Sequence, residues 1–298
     1  MRDGLVVVDK AAGWTSHDVV AKLRGIYGQK RVGHAGTLDP DATGVLLVGL
    51  GRVTRLLRYL QEAGKEYRGR VVFGVATDTL DGAGAVLERT EMSFTRPELD
   101  VAARSFVGDI EQVPPMVSAL KVGGRRLYEL ARAGEEIERV ARPVHISELV
   151  VEDLDPGAYP EATIRVACST GTYIRTLAAD LGAALGGGAH LGTLRRLRVG
   201  SFTLDEARPI EAIEADPEAA LLAPMVAMRD LERVVVDLER ARAVAHGATF
   251  AAPALVGESE GLGPFAVVDE NDALLAVYER RGGGVKPSVV VATEAAIS

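Results

Sequence analysis

Residues 33–44 read GHAGTLDPDATG, and this stretch separates the first predicted helix from a buried strand. Glycines and a proline occur here together with His34, Asp39 and Asp41 and without an apolar period, which indicates a tightly turning loop. Before the loop, apolar residues at helical spacing predict a helix that Ser16 is expected to cap. After it, the apolar run 45–48 predicts a strand. The loop therefore interrupts regular structure on both sides.

Predicted strands and helices intermix over the first 204 residues. The patterns at 5–9, 67–75 and 164–168 are typical of strands. A capping box at Thr95 and Glu98 begins one helix, and apolar periodicity predicts others over 53–60 and 174–181. This order lacks the steady alternation of a doubly wound sheet. We therefore predict an α+β domain with a mixed, largely antiparallel sheet.

The composition changes after residue 204. Residues 209–228 are alanine-rich and acidic, which predicts a connecting helix or linker. Beyond them, residues 265–268 and 273–278 are typical of a hairpin, and 288–292 predict one more strand after a glycine-rich turn. We expect a first domain over residues 1–228 and a small β-rich domain over 229–298.

The overall composition is that of a globular protein, with 298 residues of which 47% are hydrophobic and 26% charged. The single cysteine, Cys168, excludes an intramolecular disulfide, and five scattered histidines give no metal-binding pattern. No stretch approaches the length needed to cross a bilayer. We therefore expect a soluble, cytoplasmic protein that uses neither metal nor cofactor. A monomer is our expectation for its oligomeric state, which the composition leaves open.

The net charge of −8 is unevenly distributed. Residues 1–80 hold 12 basic against 8 acidic side chains, and residues 161–204 hold 5 against 2. A local basic face can therefore exist on an acidic protein and could contact phosphates. Solvated surface charge explains excesses of this size equally well.

Taken singly, the polar residues of the loop have ordinary explanations. An aspartate before a proline, such as Asp39 before Pro40, commonly forms a turn, and His34 could be a surface or core histidine. The loop also lacks the Gly-Lys-Ser/Thr ending of a P-loop.

The loop nevertheless resembles the defining motif of the TruB family of pseudouridine synthases, and three further blocks resemble that family in order. They are Lys65 and Tyr67 with TDTLDGAG at 77–84, QVPPMVSALKVGGRRLYELARAG at 112–134, and CSTGTYIRTLAADLGAALGGGAHLGTLRRL at 168–197. The resemblance covers about two-thirds of the chain. Val117 departs from it, because the family more usually has an aromatic residue there.

The resemblance implies isomerisation of uridine to pseudouridine at position 55 in the T loop of tRNA. The base is detached and rejoined through carbon, which requires a carboxylate either to attack C1′ or to remove a proton from C2′. Asp39 is the expected carboxylate, and Arg175 is expected to keep it ionised and oriented. By the same resemblance Tyr67 lies against the uracil ring and helps its proton leave.

The resemblance also implies how the substrate binds. Leu194 is expected to pack on the base, Tyr173 to support the pocket, and His34 to fill the space vacated when the target nucleotide flips out. Candidates for phosphate contacts are Arg31, Lys65, Arg68, Arg195 and Arg196. The C-terminal unit resembles a PUA-like RNA-binding domain in position and strand content.

Two other functions remain open at this point. Asp39 could be the nucleophile of a sugar hydrolase with Asp41 as its nearest partner in sequence, releasing the base to water. Alternatively, the chain could bind or fold RNA without chemistry, in which case Asp39 would be incidental.

Overall fold

The computed structural model describes residues 2–116, 121–122, 125–126, 137–257 and 261–292. Val117 and most of the block 112–134 lie outside the described residues, so the expectation about Val117 has no structural counterpart here. The strands run over Gly4–Lys10 (β1), Val32–Ala35 (β2), Thr43–Leu50 (β3), Lys65–Phe73 (β4), Val75–Thr77 (β5), Val86–Arg89 (β6), Gly108–Gln112 (β7), Lys121–Val122 (β8), Arg125–Arg126 (β9), Arg142–Asp155 (β10), Glu161–Cys168 (β11), Ala189–Val199 (β12), Phe202–Thr203 (β13), Glu232–Val235 (β14), Phe250–Ala251 (β15), Phe265–Val268 (β16), Leu274–Arg281 (β17) and Gly284–Val290 (β18).

Helices cover the sheets and connect their strands. The described α-helices are Ser16–Tyr27, Leu57–Glu62, Arg96–Arg104, Ile174–Ala184, Ile210–Ala215, Pro217–Ala220, Leu238–Ala245 and Ala252–Val256, and 3-10 turns cover Gly51–Arg55 and Pro224–Met228. None of the helices within the described ranges has both the length and the apolar character needed to cross a membrane.

The large sheet has nine strands in the order β1-β3-β12-β4-β11-β10-β7, with β2 added on β3 and β13 on β12. Its strands pair antiparallel except for β3 and β12, which run parallel. A second sheet of five strands, β14-β16-β17-β18-β15, forms the C-terminal unit. The predicted α+β class with a mixed, largely antiparallel sheet is confirmed.

The two faces of β1 contribute to different cores, because successive strand residues point to opposite sides. Val6 and Val8 belong to a first core with the helices Ser16–Tyr27 and Ile174–Ala184. Leu5 and Val7 belong to a second core, which the C-terminal sheet shares through residues such as Val277. The C-terminal unit is thus packed on the large sheet rather than tethered to it.

Three arginines also connect the C-terminal unit to the rest of the protein. Arg52 and Arg55, one helical turn apart, donate to the carbonyls of Val291 and Val290 at 2.5 and 2.8 Å, and Arg58 donates to the hydroxyl of Ser288. Each bond joins the segment before β4 to the end of the C-terminal sheet.

Three local predictions need correction. The helix Ser16–Tyr27 is capped by Thr15 in a capping box with Asp18, so Ser16 is its first residue rather than its cap. Residues 33–35 of the predicted loop belong to strand β2 (Val32–Ala35), because this segment pairs with β3. The periodic segment 53–60 divides into a 3-10 turn and a short α-helix.

Candidate active site

The loop that carries Asp39 is held by hydrogen bonds to its main chain. The Ser16 hydroxyl accepts from the Leu38 N–H at 2.9 Å and donates to the Leu38 carbonyl at 3.2 Å. Lys10 is fully buried, and its ammonium donates to the Pro40 carbonyl at 2.9 Å. The residues before and after Asp39 are therefore both fixed, which restricts where its carboxylate can lie.

Glycine is required at the end of this loop. Gly44 has φ +101°, and a Cβ there would lie 2.2 Å from the Arg196 carbonyl oxygen on the neighbouring strand. A side chain would therefore be strained and would collide with main-chain atoms. Because residue 44 is glycine, the main chain at the end of the loop can pack directly against the main chain of β12.

Arg175 joins two carboxylates. It lies in the first turn of the helix Ile174–Ala184, with 8% of its side chain exposed. One terminal nitrogen, Nη2, lies 3.2 Å from Oδ2 of Asp39, and the other, Nη1, lies 3.2 Å from Oδ2 of Asp81. Nη1 also donates to the Thr79 carbonyl at 3.2 Å. A planar guanidinium held at both ends has little freedom to turn.

Asp81 is the site residue that sequence reasoning missed. Its Oδ1 accepts from the Thr79 hydroxyl at 2.6 Å and from the Ala83 N–H at 3.1 Å, which leaves Oδ2 directed at Arg175. The signal was present, because Asp81 belongs to the recognised block TDTLDGAG. Its contact with Arg175 spans 94 residues, and no local pattern predicts such a contact.

The pKa of the Asp39 carboxyl is raised above its ordinary value. Loss of hydration on burial is the main cause; Arg175 opposes the rise, and the negative charge of Asp81 adds to it. Arg175 therefore favours the ionised form as expected, but its effect is outweighed. The Asp39 side chain keeps 46% of its area exposed, so the carboxylate is within reach of a ligand.

Tyr67 lies in the same region on β4. Its side chain is buried, and the pKa of its hydroxyl is raised by burial, against the influence of the Arg196 guanidinium beside it. Leu194 lies on the same face of the sheet, since its Cδ1 is 3.7 Å from where a side chain on Gly69 would begin. Tyr67 and Leu194 thus lie on one face of the sheet, and the charge of Asp39 acts on the Tyr67 hydroxyl.

Tyr173 is held through its main chain. The side-chain amide of the buried Gln112 accepts from the Tyr173 N–H at 2.8 Å and donates to its carbonyl at 3.3 Å. Because Tyr173 is the N-cap of the helix that carries Arg175, this clamp also fixes where that helix begins. His34 lies on β2 with its ring edge-on to His17, 5.5 Å between centroids.

The structure argues against a phosphate contact for Lys65. Its side chain is buried, and the ammonium donates to the carbonyls of Gln61 and Ala63 at 2.6 and 2.7 Å. Burial lowers the pKa of Lys65 to about 8, and Arg196 adds to this effect. Arg31, by contrast, is exposed and donates to the Thr54 hydroxyl at 3.0 Å.

The other three candidates for phosphate contacts lie in different surroundings. Arg68 follows Tyr67 on β4 and so points to the opposite face, where it pairs with Glu152. Arg195 pairs with Asp9 at 2.8 Å. Arg196 is buried, with its guanidinium directed into the protein. Alternation along a strand places neighbouring residues on different faces, so sequence proximity to a site residue does not indicate a shared surface.

The geometry brings together an accessible carboxylate, an arginine that orients it, and a face of the sheet that carries Tyr67 and Leu194. No group of three or more potential metal ligands occurs among the residues that the structure describes. Such an arrangement can attack or deprotonate a sugar carbon while a planar base lies on the adjacent surface.

Comparisons with known proteins identify the family of this chain. Residues 24–174 match the family model described as TruB family pseudouridylate synthase (N terminal domain), and residues 175–242 match that of the tRNA pseudouridylate synthase B C-terminal domain. The chain is 45% identical over 298 residues to tRNA pseudouridine synthase B of Thermobifida fusca, covering 98% of this chain and 99% of that protein. It is 51% identical over 246 residues to the protein of the same name from Symbiobacterium thermophilum, covering 82% of each.

Among solved structures, this chain is similar to a protein chain in the crystal structure of a Cbf5-Nop10-Gar1 complex, with a TM-score of 0.78 and 26% sequence identity. The match covers 99% of this chain and 86% of the other. With family models matching in sequence order and relatives similar over nearly their full length, this chain belongs to the TruB family of pseudouridine synthases and is an enzyme that isomerises uridine to pseudouridine in tRNA.

Proposed function

We propose that the uridine at position 55, in the T loop of tRNA, is the target of this enzyme and that Asp39 acts directly on its ribose. The observation that carries the proposal is the Asp39–Arg175–Asp81 arrangement, in which one buried guanidinium lies 3.2 Å from both carboxylates. It orients an accessible carboxylate without covering it. Asp39 would attack C1′ or remove the C2′ proton, and either role requires its ionised form.

We further propose that the target nucleotide is flipped out of the T loop and lies between Tyr67 and Leu194. A base stacked in a folded loop does not expose its sugar to a carboxylate, so the nucleotide must leave the stack. Contacts of the base with Tyr67 and Leu194 would offset that cost, which is a few kcal/mol. His34 would occupy the vacated position, with Tyr173 supporting the pocket from the helix start.

The C-terminal unit is the second part of the protein for which we propose a function, as an accessory RNA-binding domain. We propose that residues 229–298 form a PUA-like domain that contacts RNA outside the T loop, and that the boundary with the catalytic domain lies at residue 228. The five-stranded sheet supports this proposal, and its packing on the second core would fix any RNA contact relative to Asp39. A monomer acting in the cytoplasm remains our proposal for the form and location of the enzyme.

The direct test is to incubate the enzyme with an unmodified T-arm stem-loop and map pseudouridine at single-nucleotide resolution. We expect modification at the nucleotide equivalent to position 55 and no release of free uracil. Modification elsewhere would refute the assignment of the target. Release of free uracil would show that the enzyme hydrolyses the glycosidic bond. Binding of the RNA without any change to it would show that the protein is a non-enzymatic RNA binder.

Binding should weaken with added salt despite the net charge of −8, because phosphate contacts release counterions. The logarithm of the binding constant should fall linearly with the logarithm of salt concentration, by about 0.7 to 0.9 per phosphate contact. Arg31→Gln should make this slope shallower by about the 0.7 to 0.9 that corresponds to one phosphate contact.

Arg70→Gln is the matched control, because Arg70 pairs with Glu161 on the face opposite Tyr67. It should leave the slope unchanged. Equal slopes for wild type and Arg31→Gln, measured by titration of labelled T arm, would remove Arg31 from the RNA contact.

A further inference from the structure

Arg196 is the largest fully buried side chain among the described residues, with 1% of its area exposed. Burial of a guanidinium is costly unless hydrogen bonds satisfy its donors. A buried arginine beside a reaction site therefore indicates that its contacts serve a purpose other than solubility or surface charge.

Its partners are main-chain carbonyls of the loop that carries Asp39. Nε donates to Val45 at 2.7 Å, Nη2 to Gly36 at 3.2 Å, and Nη1 lies at the hydrogen-bond limit of 3.5 Å from Thr37. Gly36 and Thr37 precede Asp39, whereas Val45 follows the loop. One rigid plane thus holds both ends of the loop.

The same guanidinium lies beside the Tyr67 hydroxyl, whose ionised form it favours by charge and by a hydrogen bond. Arg196 and Tyr67 are directly paired residues of β12 and β4. The contact therefore links the strand that carries Tyr67 to the loop that carries Asp39.

Glycines lie on both sides of this contact. Gly36 is required by its φ of +88°, and a Cβ there would lie at an ordinary contact distance of 3.6 Å from Nη1 of Arg196. At Gly44 the main chain of Arg196 is itself the close neighbour. Arg196 thus contacts both ends of the loop with its side chain, and the second end also with its main chain.

We propose that Arg196 is a positioning residue for pseudouridine formation, which sets the Asp39 loop and the Tyr67 hydroxyl in one fixed arrangement. The proposal rests on the proposed roles of Asp39 and Tyr67. It differs from the role of Arg175, which contacts the Asp39 carboxylate itself. Arg196 acts through the main chain and through Tyr67.

These contacts depend on the several N–H donors of the planar guanidinium rather than on its charge alone. A lysine would keep the positive charge but offers a single ammonium, which cannot reach carbonyls on both sides of the loop at once. Arg196→Lys therefore separates charge from geometry. Arg196→Met removes both and keeps an unbranched apolar stem.

The experiment measures total pseudouridine in an unmodified tRNA transcript under single-turnover conditions at saturating enzyme, so it does not depend on which position is modified. Displacement of a reacting group by about 1 Å costs on the order of 100-fold in rate. We expect Arg196→Met to lose about 100-fold and Arg196→Lys about 10-fold, with the dissociation constant for tRNA within about threefold of wild type.

Two control variants separate positioning from stability. Arg198→Lys changes another arginine of β12, which pairs with Glu66, and should keep the wild-type rate. Val267→Ala creates a cavity in the C-terminal core, away from the site, and supplies a variant with a lowered melting temperature. If Arg196 were merely structural, its variants would lose no more rate than Val267→Ala when both are assayed below their melting temperatures.

The proposal is overturned if Arg196→Lys turns over at the wild-type rate, or if the loss appears in tRNA affinity rather than in rate. Should Arg196→Met not fold, Arg196→Lys decides alone by the same two criteria. Failure of the proposed function is a separate result, because it would appear as full activity in Asp39→Asn or as modification at another nucleotide.

Discussion

Replacement of Asp39 by asparagine is expected to reduce pseudouridine formation to background, a loss on the order of 10⁴-fold or more. Asparagine keeps the size of the side chain and its hydrogen-bonding capacity. It cannot attack C1′ or accept a proton from C2′, so the chemical step is lost in either mechanism. The measurement is the single-turnover rate at saturating enzyme.

Affinity for the T arm should change little in the same variant. The substitution removes a negative charge that would face RNA, so binding should be equal to wild type or slightly tighter. Loss of affinity in parallel with rate would mean that the loop had rearranged. The rate could then not be interpreted as a chemical effect.

Changes at Arg175 and Asp81 are expected to move the pH dependence of the rate in opposite directions. In the proposed mechanism activity requires ionised Asp39, so the rate should fall as pH drops through the pKa of that group. Arg175 lowers this pKa, and Asp81 raises it. Arg175→Ala should therefore shift the acid limb to higher pH, whereas Asp81→Asn should shift it to lower pH.

Both variants should also lose turnover near neutral pH, by about 10² to 10³-fold for Arg175→Ala, because the carboxylate is no longer oriented. Arg175→Lys is the matched control, since it keeps the charge but not the fork that contacts both carboxylates. It should lose rate with a smaller shift of the acid limb. Shifts of the same sign in Arg175→Ala and Asp81→Asn would contradict the electrostatic account.

Asp39 and Arg175 should behave as a unit. The double variant Asp39→Asn with Arg175→Ala should be scarcely slower than Asp39→Asn alone, because a lost step cannot be lost again. Additive losses would show that Arg175 acts on the reaction independently. Normal turnover with weak RNA binding in Arg175→Ala would reassign it to a phosphate contact.

Regular elements with strong local patterns could be predicted from the sequence. The alternation at Tyr67, the capping box at Thr95 and the apolar runs of β1 and β16 all correspond to observed elements. Local hydrogen bonding and side-chain periodicity determine such segments. The composition of β2 predicts a loop, whereas its pairing with β3 makes it a strand.

The parts of the site that depend on distant contacts could not be predicted in this way. Asp81 reaches Arg175 and Ser16 reaches Leu38 only because the sheet and the first helix bring them together. Lys65 and Arg196 have the charge of a phosphate contact, yet both are buried and bond to carbonyls. Residue type alone does not distinguish a buried cation from one that faces RNA.

The central claim, that the Asp39 carboxylate performs the chemistry, is tested most directly by comparing Asp39→Asn with Asp41→Asn in one single-turnover assay on the T arm. Asp41 lies in the same loop and is exposed, so its replacement makes the same change of charge two residues away. We predict that Asp41→Asn forms pseudouridine at the wild-type rate and that Asp39→Asn forms none above background. Pseudouridine formation by Asp39→Asn at the rate of Asp41→Asn would contradict the claim.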